Sequence, residues 1–282
     1  EEYSQKFAEG FLYPAFAGIC TCSHERIKDY PARVVLEYLN TGLLFSSVRR
    51  VTQGTQEVVQ RLADGVHQTH LETEVRDVVP SDSSVAVETD AGTASFDHVV
   101  LAAQANQSIR LLNGAMPEER QVLSAFTYEP SRVIVHRDER LAPPGGPSEW
   151  APVNFLLSNP ETTPMATIWM NAIQAMPEHA DVFQTWNPII DPEPDLVIAE
   201  SSFERPVVNA CSLKGLKRLD ELHRQRNRRV WFCGSYAAHG IPLLESAAHS
   251  ALSIAERLGA QRPWSIDGIH SDRSVSSVRP SQ

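Results

Sequence analysis

Apolar residues change their spacing along this chain, and the changes divide it into five stretches. In residues 1–48, Phe7, Phe11, Leu12 and Phe16, then Val34, Val35, Tyr38 and Leu39, recur three and four apart. That spacing predicts helices, punctuated at Pro14 and Pro31. Residues 49–112 begin with Val51-Thr-Gln-Gly54, which leads into a short amphipathic helix carrying Val58, Val59 and Leu62, with Gly65 placed to end it. Leu71, Val75, Val78 and Val79 follow, then Val85–Thr89, a turn at Asp90-Ala-Gly92, and Ser95–Ala102. Alternation, turn and alternation predict a β-hairpin. The unbroken apolar run Val99–Ala102 predicts a strand covered on both faces, as in a parallel sheet.

Residues 113–224 read as a separate α+β region. Pro117-Glu-Glu opens a helix carrying Val122, Leu123 and Phe126, because proline and acids suit a first turn. Arg132–His136 and Met165–Met170 read as strands, and Ala142–Pro147 as a loop. Trp150, Phe155, Trp169 and Trp186 give this region the aromatic content of a ligand-enclosing domain. In residues 225–260, Arg229–Gly234 is a strand ending in glycine and Ser235–Gly240 a loop. Pro242 then opens a helix with Leu244, Ala247, Ala248, Ala251, Ile254, Ala255 and Leu258 on one face, and Gly259 stops it. Residues 261–282 are polar and serine-rich, the composition of a disordered tail.

Length and charge narrow the classes of function. A chain of 282 residues with 42% hydrophobic and 21% charged residues is an ordinary globular mix, long enough for two domains. The net charge of −10 argues against nucleic acid as a partner. Cys20 and Cys22 invite a metal reading, but no second Cys/His pair stands at ligand spacing, so no metal is expected. Sparse cysteine suits a reducing compartment, and a cytoplasmic location is expected. No run of about eighteen apolar residues predicts a membrane span, which leaves peripheral membrane contact open. The chain starts at Glu1, and its first residues read like the middle of a helix, as in a truncated or processed chain.

The segment that carries chemistry is Val230-Trp-Phe-Cys-Gly-Ser-Tyr, followed by Leu244-Glu-Ser-Ala. A buried strand there delivers Gly234 to the carboxyl edge of a sheet, where open α/β sheets bind ligands. A helix begins beyond Gly240, and its first unpaired amides can donate to a negative group. By itself this is an ordinary strand–loop–helix unit.

Phe232-Cys-Gly-Ser235 with Leu244-Glu-Ser-Ala247 resembles the last FAD-binding segment of the flavin amine oxidase and phytoene desaturase superfamily. Three more stretches agree in chain order. Val51–Gly54 resembles that superfamily's glycine-containing turn, His70–Val75 the strand whose valine backbone meets adenine, and Phe96–Ala102 its Asp-x-Val-Val-x-Ala strand. Phe126–Pro130, Val135–Asp138, Ile168–Gln174, Thr185–Pro188 and Gly234–Tyr236 further resemble a bacterial amine oxidase-like branch found near cyclopropane-fatty-acid synthases.

The resemblance implies an α/β fold: a partial FAD/NAD(P)-binding Rossmann-like domain interleaved with an α+β substrate domain. Residues 49–112 and 225–260 would belong to the FAD-binding part, with 1–48 and 113–224 on the substrate side. The cofactor would be FAD, held through Gly54, Val75, Gly234, Ser235, Leu244 and Glu245. Catalytic candidates are His239, Tyr236 and Trp169.

The chain departs from the pattern in two places. None of its 14 glycines forms the opening G-x-G-x-x-G turn. The piece is therefore expected to hold FAD weakly, to expose apolar surface, and to need the missing N-terminal segment of the same protein as its partner. Between Arg132 and Ser212 there is no lysine, and Leu243 stands where amine oxidases place an aromatic residue. Hydride removal from an apolar small molecule, fatty-acyl or isoprenoid-like, is thus the first expectation. A non-catalytic, flavoprotein-like fragment is the alternative, and an amine or polyamine oxidase the third.

Overall fold

The computed structural model describes residues 4–20, 22–40, 51, 52, 54–112, 114, 116–156, 164–174, 176 and 180–261. The expected tail, apart from Gln261, lies outside the described residues. The chain opens with helices α1 (Gln5–Phe7), a π-helical turn (Ala8–Leu12), α2 (Tyr13–Cys20), α3 (His24–Lys28) and α4 (Ala32–Asn40). Next come α5 (Thr55–Ala63), strands β1 (Val75–Pro80), β2 (Val85–Thr89), β3 (Gly92–Phe96) and β4 (Val99–Leu101), and helices α6 (Ala105–Leu111) and α7 (Pro117–Leu123). The middle of the chain supplies β5 (Tyr128–His136), β6 (Val153–Leu156), β7 (Met165–Trp169), α8 (Met170–Ile173), β8 (Phe183–Trp186) and β9 (Val197–Pro206). It closes with α9 (Ala210–His223), β10 (Val230–Phe232) and α10 (Leu244–Arg257).

These strands form three sheets. β1, β2 and β3 make an antiparallel meander, and the predicted hairpin is its second half, with Thr89 opposite Gly92 across the turn. β4 and β10 pair in parallel, Val99 with Val230 and Leu101 with Phe232. β6-β7-β8-β5-β9 is a five-stranded antiparallel sheet. The mixed helix and sheet architecture is the α/β class.

The parallel pair packs against two clusters. Val230 and Phe232 point into a core shared with Val78, Leu101, Leu123, Leu219 and Leu222. On the opposite face Trp231 and Cys233 pack against Ile254 of α10. Val100, the register partner of Trp231, is 41% exposed. Coverage of both faces, expected for Val99–Ala102, is therefore incomplete, because α10 packs on β10 and leaves the Val100 side of the pair uncovered.

Helix α9 starts on a reciprocal cap, in which the Asn209 side chain accepts from the Ser212 amide and the Asn209 amide donates to Ser212 Oγ. Its Gly215 lets the backbone approach Ala125; an added Cβ would sit 2.7 Å from the Ala125 Cβ. Helix α10 ends where Gly259 adopts a positive φ. The Gly259 and Ala260 amides then return to the Glu256 and Ala255 carbonyls, closing a Schellman motif.

Three details differ from the sequence reading. The strand expected to reach Met170 stops at Trp169, because Met170 begins α8. β9 is absent from the sequence reading: its residues follow no strict polar–apolar alternation, and both its faces are largely open. The buried face of α10 is Ser246, Ser250 and Ile254, whereas Ala248, Ala251 and Leu258 are exposed. Serine occupies that face because Ser246 Oγ donates to the Ile241 carbonyl and Ser250 Oγ binds Gly234.

The first helices form a second core, with Phe16, Ala17, Ile27 and Val34 packed on Val207, Val208 and Ile241. Cys20 and Cys22 belong to it, and burial pushes the Cys20 thiol up to about 12. Gly18 of α2 faces Phe155 of β6, whose ring lies 2.7 Å from where a Cβ would stand. Among the described residues no helix is long and apolar enough to cross a membrane.

Candidate functional site

Parallel strands place their carboxyl ends side by side, and the chain leaves that edge in two loops. β4 exits through Ala102, Ala103 and Gln104, and β10 exits through Gly234 and Ser235. A cleft of about 380 Å³ opens between them. Pro242, Leu243, Leu244 and Ala247 at the start of α10 form one wall, and Glu204, Arg205 and Pro206 at the end of β9 form another. The volume is in the range of small-molecule sites.

Hydrogen bonds fix the walls. The Gln104 side-chain amide donates to the Glu204 carbonyl at 2.9 Å, stitching the β4 exit to β9. Gln104 offers α6 no side-chain cap, so the Ala105 amide donates instead to the Tyr128 hydroxyl of β5 at 2.7 Å. Burial pushes that Tyr128 phenol up to about 12. At the β10 exit, Ser250 Oγ accepts from the Gly234 amide and reaches its carbonyl, both at 2.9 Å. Gly234 has φ 147°, in the region that favours glycine. A Cβ there would come within 3.1 Å of the Tyr236 ring and 3.7 Å of the Ala103 carbonyl.

The start of α10 is chemically open. Leu243, its capping residue, offers no side-chain hydrogen bond. The first intrahelical bond runs from the Ala247 amide to the Leu243 carbonyl. The amides of Leu244, Glu245 and Ser246 thus lack acceptors among the described residues, and they carry the positive end of a 14-residue helix.

The structure brings some of the sequence candidates together and separates others. Gly234, Ser235, Tyr236 and Leu244 line the cleft. Val75 is partly buried and packs against the cluster that contains Phe232 and Tyr236, and it is not among the residues lining the cleft. The Glu245 side chain is turned outward, 3.3 Å from His249. Gly54 caps α5 at φ 81°, with nothing within 4 Å of an added Cβ. His239 is exposed and sits 2.9 Å from Glu37. Trp169 stands edge-on to Trp150 and donates through Nε1 to Asp181 at 2.7 Å, away from the cleft walls.

Tyr236 is 5% exposed and stacks edge-on against Phe126. Burial holds its phenol well above the ordinary range, so it stays protonated and shapes the cleft wall with its ring. Sequence reasoning missed Glu204, Arg205, Gln104 and Ser250. For Arg205, the available signal is the i, i+2 spacing Ala199, Ser201, Phe203, Arg205, which puts four side chains on one face of β9.

The residues at the cleft are of kinds that can hold FAD. They supply a glycine where the chain must pass close, unpaired amides at a helix start and an apolar wall.

A β–α unit with its cleft at the carboxyl edge of a parallel pair has the arrangement in which open α/β sheets bind ligands. The model of the family described as flavin containing amine oxidoreductase matches residues 15–259, and the chain belongs to that family. Membership implies FAD as the cofactor.

The fold is similar to that of a CLA-producing fatty acid isomerase from P. acnes, with TM-score 0.63 and 12% identity over 90% of this chain and 63% of that one. It is also similar to a putrescine oxidase variant, with TM-score 0.51 and 13% identity over 75% of this chain and 54% of that one. The chain thus spans 63% and 54% of the lengths of these two structures. Among curated proteins there is no match.

Proposed function

We propose that this chain forms the flavin-ring side of an FAD-dependent oxidoreductase that takes hydride from an apolar substrate, fatty-acyl or isoprenoid-like. One observation carries the reading. The cleft at the ends of β4 and β10 shares strand β9 with an open, mainly apolar sheet face on which Val133, Val135, Trp186, Ala199 and Phe203 line a second hollow of about 300 Å³.

Bound FAD would supply the two-electron acceptor for a substrate C–H bond. The chain's residues would do the rest. The amides of Leu244 and Glu245 would meet the electron-rich edge of the ring and stabilise negative charge there. Gly234 and Ser235 would border the ribityl–phosphate side, while the Val75 backbone and Gly54 would serve the nucleotide end. Pro242, Leu243 and the Tyr236 ring would keep water from the reacting carbon. His239 would stay at the rim, tied to Glu37, and Trp169 would support the substrate sheet from behind.

The P. acnes protein is a fatty acid isomerase, so this fold houses such a substrate elsewhere. Amine oxidation is less favoured, because residues 132–212 contain no lysine and Lys214 and Lys217 lie on the exposed side of α9. A cytoplasmic location fits the sparse cysteine content.

The test is the absorption spectrum of the full gene product, followed by anaerobic mixing with lipids and amines. Flavin bands that bleach with an unsaturated or saturated lipid support the proposal. Bleaching with amines alone, or a protein without flavin bands, overturns it.

A further inference from the structure

Arg205 stands between the cleft and the open sheet face, and among the described residues its guanidinium makes no hydrogen bond or ion pair. It is half-buried, lines the cleft, and lies over the Trp186 ring at 5.5 Å. Trp186 in turn meets Phe203 at 5.8 Å, and those two aromatic residues line the hollow on the sheet. A cation, an indole and a phenyl ring thus run in sequence from one cavity to the other.

The carboxylates that should neutralise Arg205 are engaged elsewhere. Glu129, its register partner on β5, accepts from the Ser23 amide at 3.1 Å and from Arg26 at 2.9 Å. Glu204, next to it in sequence, accepts from the Asn106 side chain at 2.8 Å. A partly desolvated arginine with a free planar fork is a site for a planar anion, and its stacking on Trp186 holds the fork in place.

We propose that Arg205 binds the carboxylate end of the substrate, and that the apolar part of the substrate lies along the sheet face of Val133, Val135, Trp186, Ala199 and Phe203. The substrate class is therefore an apolar carboxylic acid, as opposed to a neutral hydrocarbon or an amine. This rests on the reading of the neighbouring cleft as the flavin site.

The experiment uses the full gene product and three ten-carbon probes, decanoate, decanol and decylamine. Binding is followed by tryptophan fluorescence, and flavin content by absorption in the same samples. Decanoate is expected to bind about tenfold or more tighter than decanol, the difference one charge-assisted bond provides. Arg205→Met is expected to make the two equal while decanol binding stays unchanged, and Arg205→Lys to keep a reduced preference.

Equal binding of decanoate and decanol to the natural protein, preference for decylamine, or an acid preference that survives Arg205→Met would each overturn the proposal. So would loss of flavin in Arg205→Met with the acid preference intact, since Arg205 would then serve the cofactor. If Arg205→Met does not fold, the natural protein decides. An acid-over-alcohol ratio that falls with added salt supports the ion pair, and a constant ratio overturns it. Failure of the flavin reading shows separately, as missing flavin bands in every sample, because the tryptophan signal does not need flavin.

Discussion

Ser250 Oγ lies 2.9 Å from both the amide nitrogen and the carbonyl oxygen of Gly234, so one hydroxyl of α10 holds the residue at which β10 ends. Both groups are part-buried, and leaving a buried polar group unpaired costs about 1–3 kcal/mol, the upper limit here. Ser250→Ala is therefore expected to lower stability by up to that amount, read as a lower urea midpoint at unchanged slope. Because the clamp sets the start of α10 against the cleft, the variant is also expected to release cofactor faster than the natural protein. A midpoint equal to the natural one would show that water replaces the hydroxyl.

Why the sequence revealed some elements and hid others follows from the same residue. The strand Val230–Phe232 was legible because its three residues are apolar and all are buried. The hairpin at Thr89–Gly92 was legible because alternation and a turn glycine coincide. The inner face of α10 was not, because hydrophobic periodicity favours Ala248 and Ala251, while Ser246 and Ser250 are buried by hydrogen bonds to backbone. β9 escaped for a related reason: a strand open on both faces carries little hydrophobic signal, yet it delivers Glu204 and Arg205 to the cleft. The cleft's position was readable from Gly234, and its second wall was not, because that wall comes from a strand paired across the sheet with β5.

Glu119 and Arg228 form an ion pair at 3.1 Å, with side chains 12% and 4% exposed, joining α7 to the residues just before β10. Arg228 Nε and Nη2 have no hydrogen-bond partner among the described residues, and the guanidinium lies 5.5 Å from the centre of the Phe232 ring. Among the described residues Glu119 is thus the only carboxylate hydrogen-bonded to a cation that burial already disfavours. Glu119→Gln is expected to destabilise by about 3–5 kcal/mol, the effect of leaving one member of a buried pair uncompensated. Adding Arg228→Met is expected to recover much of that loss, since it removes the stranded charge. A double variant no more stable than Glu119→Gln, measured by denaturant unfolding, would show that the pair matters for packing and not for charge.

Gly215 offers a test of the α9 packing. At a solvent-exposed helical site, Gly→Ala stabilises by roughly 1 kcal/mol. At Gly215 the new methyl would stand 2.7 Å from the Ala125 Cβ and 3.4 Å from the Phe126 ring. Overpacking of this kind costs about 1–3 kcal/mol. The expected sign is therefore reversed: Gly215→Ala lowers the thermal midpoint. Because Phe126 stacks on Tyr236, the same substitution is expected to disturb the wall of the cleft.

His223 sets how stability changes with pH. Its ring is 8% exposed and its Nε2 accepts the Phe232 amide at 3.3 Å, so the folded chain holds it neutral with the proton on Nδ1. Burial, reinforced by Arg228 and Arg257, pushes its pKa from the ordinary 6.5 down to about 3. The unfolded chain takes up a proton as pH falls through about 6.5, while the folded chain does so only near 3. Between those values the unfolded state holds more protons, so stability is complete above about 6.5 and declines as pH drops. One such group contributes a slope of at most about 1.4 kcal/mol per pH unit. Buried His136 is shifted in the same direction. Asp138, held low chiefly by Arg140, adds its own loss only below its ordinary 3.8. His223→Gln keeps an oxygen able to accept the Phe232 amide and removes the titration. It is expected to flatten the pH dependence of unfolding between pH 6.5 and 4.5, and an unchanged slope there would assign the acid sensitivity to His136 instead.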